Sequence, residues 1–286
     1  MRKILLLAIG LVLLSAPGVF AVNYDLSTAP PAQAGYDVAV PGVIAPSTST
    51  SSYWQIIDLA PTGTGTFEPF LRFQGKGQNL LETGLNTNYG TPRDPVGAHQ
   101  VPYDDVSSIW THAIQFGQLA TVHNPPTGTG ATIPAGDYYS FTLDFNEPGS
   151  ATRFLSAETF TIYKGTNPLI NDIGDANLTK LFTGIPAGDH ILMDYTLASS
   201  GSGEADIQVF VPVGAFAGAS PGDYLYLYTQ MGGAGVVDGK DYSWTDGFEE
   251  WRALLGTPTQ VPEPATLLLL GCGLVGVATV RRKIKK

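Results

Sequence analysis

The sequence predicts an all-β protein, an antiparallel β-sandwich of jelly-roll or immunoglobulin-like type, on three observations. Only 14% of its 286 residues are charged, while glycine (34) and proline (21) are abundant, a composition of short strands and tight turns. Runs of period-two alternation recur along the chain, and one turn device precedes several of them. Convincing helical periodicity is absent from the middle.

Taken in order, residues 1–21, "MRKILLLAIGLVLLSAPGVFA", combine a short basic start (Arg2, Lys3), an apolar run from Ile4 to Leu14 and small residues before Ala21. This pattern predicts a cleaved signal peptide; the competing reading, an uncleaved anchor, needs a longer apolar core than one ending at Pro17-Gly18. Residues 22–51 are rich in Pro, Ser, Thr and Ala and predict a loosely ordered segment. The sandwich is expected over 52–256, with 257–260 as a spacer before the C-terminal 261–286.

Within the body, "DYYSFTLDF" sets Tyr139, Phe141, Leu143 and Phe145 on one face, and "ADIQVFVPV" does so with Ile207, Val209, Val211 and Val213. "FTIYKG", "HILMDYTLA" and "DYLYLYTQ" read as further strands. Turns "IPAGD" (133–137 and 185–189) and "SPGD" (220–223) precede three of these strands. Proline presets the turn, glycine accepts a positive φ and aspartate bonds freed amides. Their unequal spacing argues against a fixed-period repeat array. "NPPTGTGATIPAG", 124–136, is the one stretch where a two-domain division would fall, and "DGFEEWRALLG", 246–256, holds helix formers enough for one or two turns.

Between the terminal segments, residues 22–260 carry 15 − 2 − 5 = 8 Lys and Arg against 25 − 1 = 24 Asp and Glu, a formal charge of −16. Such a surface repels phosphates, so nucleic acid is excluded as a partner. Cys272 is the sole cysteine, so no intrachain disulfide forms.

There is no HExxH or Walker glycine loop, and no catalytic residue is assigned. His99, His112, His123 and His190 lack zinc-like spacing; a cluster with Asp104 and Asp105 competes with plain loop and strand-edge histidines. Oxygen ligands concentrate at Asp172 and Asp175, and again at Asp238, Asp241 and Asp246, in Gly-containing loops. That is what a hard cation such as calcium needs, although ordinary Asx turns look the same in sequence. No other cofactor is expected. Tyr224, Tyr226 and Tyr228 share one strand face, either as a platform for sugar rings or as cross-strand packing.

The C-terminus, "VPEPATLLLLGCGLVGVATVRRKIKK", places Pro262-Glu263-Pro264 before an apolar run of 265–280 and a basic end, 281–286. Sixteen helical residues rise about 24 Å against a hydrocarbon core of about 30 Å, a short transmembrane helix whose basic flank stays cytoplasmic. The two prolines keep the Glu263 segment out of regular pairing and open to an enzyme. In this order and at this end, the stretch closely resembles the PEP-CTERM sorting domain, with Pro262, Glu263, Pro264, Arg281 and Arg282 on its motif positions. The resemblance implies an exosortase as partner, passage through the inner membrane with transient anchoring, and a Gram-negative bacterium with an extracellular polysaccharide matrix.

The resulting expectation is an exported, non-enzymatic surface or matrix protein associated with exopolysaccharide. A carbohydrate-binding module is the alternative, followed by a secreted polysaccharide-active hydrolase.

Overall fold

The computed structural model describes residues 21–27, 36–44, 48–57, 68–75, 81–96, 99–145, 153–197, 205–243 and 247–256. Residues 1–20, Asp246 and the whole of 257–286 lie outside them, and with them the expected signal peptide, the Pro-Glu-Pro motif and the expected membrane helix. Among the described residues no helix is long and apolar enough to cross a membrane.

Strands dominate. The first five are β1 (Asn23–Asp25), β2 (Tyr36–Ile44), β3 (Thr48–Ile56), β4 (Leu71–Phe73) and β5 (Glu82–Leu85). After the long stretch 86–113 come β6 (Ile114–Gln115), β7 (Thr121–His123), β8 (Thr129–Gly130), β9 (Asp137–Phe145) and β10 (Phe154–Gly165). Then follow β11 (Thr179–Thr183), β12 (His190–Asp194), β13 (Ile207–Pro212) and β14 (Tyr224–Met231). A small hairpin of β15 (Val236–Val237) and β16 (Lys240–Asp241) leads to β17 (Glu249–Ala253).

Hydrogen bonds link fifteen strands into one ribbon, β1-β12-β10-β11-β2-β3-β13-β9-β17-β4, with β14 on the other edge of β10 and β5 and β6 on β14. The ribbon folds over at the short β11–β2 junction, Phe182 opposite Ile44 and Thr183 opposite Val43. Two layers result, with β12, β10, β14 and β5 facing β3, β13, β9, β17 and β4. Pairing is antiparallel apart from β1 with β12 and β2 with β8. An all-β sandwich is therefore observed.

Alternation explains which faces meet. Phe141, Leu143 and Phe145 of β9, and Ile207, Val209 and Val211 of β13, are buried in the main core, as their period-two spacing predicts. Phe160 of β10 supplies the opposite layer. Its ring lies 5.5 Å from Trp54, 5.7 Å from Phe141 and 5.2 Å from Trp251, in edge or tilted contacts that rings prefer to face-to-face stacking.

The turns behave as the sequence suggests. Pro221-Gly222-Asp223 leads directly into β14, and Asp223 accepts a hydrogen bond from the Ser220 amide at 2.9 Å. Gly188, in the turn before β12, takes φ +89°. Asp189 instead accepts the Val22 amide at 2.9 Å and so fastens the N-terminal strand.

Two sequence expectations are corrected. The segment 22–51 is not uniformly loose: β1 pairs with β12, and β2 pairs with β3 from Asp37–Gln55 through Ile44–Thr48. The region 246–256 contains a strand rather than helical turns, because Trp251 and Ala253 of β17 gain core burial by pairing with Leu143 and Phe141 of β9. Within residues 124–136, β8 pairs with β2.

Candidate functional site

Between β5 and β6 the described residues of 86–113 form no strand or helix beyond a single bridge of Asp105 to Phe73, in a connection far longer than the usual 12–15 residues. Its order comes from buried polar side chains that replace a sheet ladder. Asn86 is fully buried; its amide donates to the Leu225 carbonyl at 2.9 Å while its oxygen accepts the Leu227 amide. Asn88 accepts the Ala113 amide at 3.0 Å, closing the base of the loop. Asp94 accepts the Gly90 and Val96 amides, each at 2.9 Å, and meets His99 at 2.6 Å. Its carboxyl is held down to about 2, first by the Gly90 amide and then by Val96 and His99. Gly90 sits at φ +71°, and a Cβ there would lie 2.4 Å from the Val101 nitrogen, so only glycine fits.

This braced loop forms one wall of a cleft of about 210 Å³, lined by Arg93, Ile109, Trp110 and His112. The facing wall comes from Glu68, Pro69 and Phe70 just before β4, and from Ala253 at the end of β17 with Leu255 just after it. Leu255 and Ile109 are exposed apolar side chains at the rim. Burial pushes the His112 imidazole down to about 4, with Arg93 adding to the effect, so it is neutral at physiological pH. The cleft thus combines an indole, a neutral imidazole, one guanidinium and one carboxylate. A second, more open depression of about 540 Å³ is lined by Phe116, Tyr139, Phe216 and the 217–221 backbone, and carries no charged group.

The histidines do not gather around Asp104 and Asp105. His99 stacks on Tyr89 with ring centroids 4.3 Å apart, His123 meets Asp137 at 2.8 Å, and His190 meets Glu158 at 3.3 Å, each in a different part of the fold. Asp104 accepts the Thr83 amide and hydroxyl, and Asp105 the Leu85 amide, so both brace the long loop against β5.

The expected tyrosine platform is corrected as well. Tyr226 is fully buried and Tyr228 is 9% exposed, packed with Leu85, Tyr163 and Ile170 in a satellite core, and only Tyr224 is half-exposed. The segment 166–178 covers them from one side, where the Ile170 amide donates to the Tyr226 hydroxyl, which itself donates to the Asn167 carbonyl. Tyr103 of the long loop covers the other, 5.5 Å from Tyr228. Burial raises both phenols, Tyr228 to about 12.

Among the described residues no group of three His, Cys, Asp or Glu is placed to hold a metal ion. Asp172 accepts the Gly174 amide, Asp175 the Asn177 amide and Asp241 the Ser243 amide, each two residues on, and Asp238 takes φ +49° in its hairpin turn. The bonds of Asp172, Asp175 and Asp241 are those of Asx turns.

Sequence reasoning missed a pair of acids inside the sandwich. Glu82 of β5 and Glu249 of β17 are both fully buried, one from each layer, at the corner where Phe73 packs over Gly84. Burial, and then the neighbouring charges of Glu82 and Asp144, push the Glu249 carboxyl far up. A pair sealed from solvent holds a proton but reaches no substrate.

Fold and site together define an all-β sandwich protein whose one braced loop shapes a small cleft of mixed polarity. Its address lies beyond the sandwich: residues 260–283 match the PEP-CTERM protein-sorting motif, so this is a PEP-CTERM motif-bearing protein. The motif supports sorting to the bacterial exterior by an exosortase. No curated protein and no solved structure matches the chain.

Proposed function

We propose that the protein is non-enzymatic cargo of the exosortase pathway in a Gram-negative bacterium, resident at the cell surface or in an exopolysaccharide matrix. The sorting motif at 260–283 is the observation that carries the reading. The signal-like 1–21 brings the chain to the inner membrane, 265–280 holds it there, and the exosortase reads Pro262-Glu263-Pro264 and cuts nearby. The acidic body, −16 over 22–260, suits a solvated extracellular protein.

Two features support the non-enzymatic part. The chain lacks the HExxH zinc motif, and its GxSxG match, Gly218-Ala219-Ser220-Pro221-Gly222, sits in the turn leading into β14 rather than in a strand-to-helix elbow. Glu82 and Glu249, the paired buried carboxyls, face one another inside the core rather than across a groove, where a glycoside hydrolase needs them.

The test replaces Pro262-Glu263-Pro264 by three alanines in the full chain, expressed where an exosortase is active. The variant is expected to accumulate full-length at the inner membrane. Unchanged release to the surface would refute the sorting role.

A further inference from the structure

We propose that the cleft beneath the 86–113 loop binds one neutral sugar ring of a polysaccharide chain, with Trp110 as its stacking platform. The assignment rests on the matrix reading above for its setting, and on the cleft itself for its chemistry.

Size comes first. About 210 Å³ falls below the roughly 300 Å³ at which pockets for drug-sized ligands begin, so the cleft takes a single ring and leaves the rest of a chain outside. Lining chemistry comes second. A pyranose has an apolar face of C–H bonds and a rim of hydroxyls. The electron-rich face of an indole attracts the first, and half-buried Trp110 offers one beside Ile109 and Leu255. Hydroxyls both donate and accept, so a rigid donor and a carboxylate acceptor within one cleft suit them. Arg93 and Glu68 supply that pair, and no ion pair between them ties either up among the described contacts.

Charge decides the class of sugar. His112 is neutral at physiological pH, so Arg93 and Glu68 cancel and the cleft walls carry no net charge. Around it the body is at −16, which disfavours a uronate or a sulfated ring. Rigidity completes the argument. The Asn86, Asn88 and Asp94 hydrogen bonds fix the loop before any ligand arrives, so little ordering entropy is lost on binding.

Isothermal titration of the mature exported protein with neutral gluco-, galacto- and manno-oligosaccharides, and with oligouronates, tests this. At least one neutral series is expected to bind, and Trp110→Ala to weaken that binding tenfold or more. Arg93→Met and Glu68→Gln, both at exposed positions, are expected to weaken it several-fold with unchanged thermal unfolding; they carry the test if Trp110→Ala unfolds. Absence of neutral-sugar binding, stronger binding of uronates, or full binding by the variants would overturn the assignment. Matrix retention that survives all three substitutions removes the cleft and leaves the matrix reading standing. Cleft-dependent binding by a protein absent from the matrix does the reverse.

Discussion

Replacing Glu249 by glutamine is expected to stabilise the protein above pH 6 and to flatten its pH dependence. Glu249 is 0% exposed, its cross-strand neighbours are Phe73 and Phe145, and its carboxyl meets its own amide and, in the protonated form, the Glu82 carboxyl. Burial and the Glu82 charge raise its pKa well above the ordinary 4.5. Folding therefore takes up a proton once pH exceeds the unfolded value. Stability from this group is complete below pH 4.5 and is lost as pH rises toward the folded pKa, at about 1.4 kcal/mol per pH unit across that interval. Once Glu249 ionises, the hydrogen bond to Glu82 is lost, and a buried acceptor left without its partner costs about 1–3 kcal/mol. The glutamine amide keeps the shape, carries no charge and can donate to the Glu82 carboxylate, so most of that cost should be regained. For a domain of this size each kcal/mol moves Tm by roughly 2–4 °C, giving a rise of about 2–12 °C at pH 8. Thermal and urea unfolding of both proteins from pH 4 to 9 measures it. A destabilised variant, or one that keeps the wild-type slope above pH 4.5, would refute the reasoning.

Asn86→Ala leaves the Leu227 amide and the Leu225 carbonyl without their side-chain partner, and should cost about 2–4 kcal/mol in urea unfolding, with proteolysis shifting to the 86–113 loop. Gly84→Ala puts a Cβ 2.7 Å from the Phe73 ring at the corner between layers, and a loss of about 1–3 kcal/mol should appear in the same assay. His112 should titrate near 4 rather than 6.5 when its ring protons are followed by NMR. Its folded pKa is depressed, so its contribution is present above pH 6.5 and is lost as pH falls toward 4; His112→Gln should reduce that acid loss.

The core-facing side of a strand was legible because period-two alternation is a local signal: Phe141, Leu143, Ile207 and Val209 face the core as their spacing requires. Burial of both faces was not legible. Leu225 and Leu227 lie in the main core while Tyr226 and Tyr228 lie under Tyr103 and Ile170, and sequence spacing around β14 carries no trace of those distant covers. Local propensity misled at β17, where "EEWRALLG" favours a helix until β9 offers a ladder and a core slot for Trp251. The segment 22–51 misled in the same way, since its prolines and serines hide strands that become ordered only against β12 and β3. The cleft could not be read at all. Glu68, Arg93, Trp110 and Leu255 obey no spacing and meet only because buried asparagines and aspartates shape the loop between them. Glu82 and Glu249, one on each layer, are brought together by topology alone.

The mass of the mature protein, recovered from cells with an active exosortase, bears most directly on the sorting reading. A chain that has lost its C-terminal segment from near Pro262-Glu263-Pro264, and with it Arg281 through Lys286, is expected. A mature chain still ending in Lys286 would contradict it.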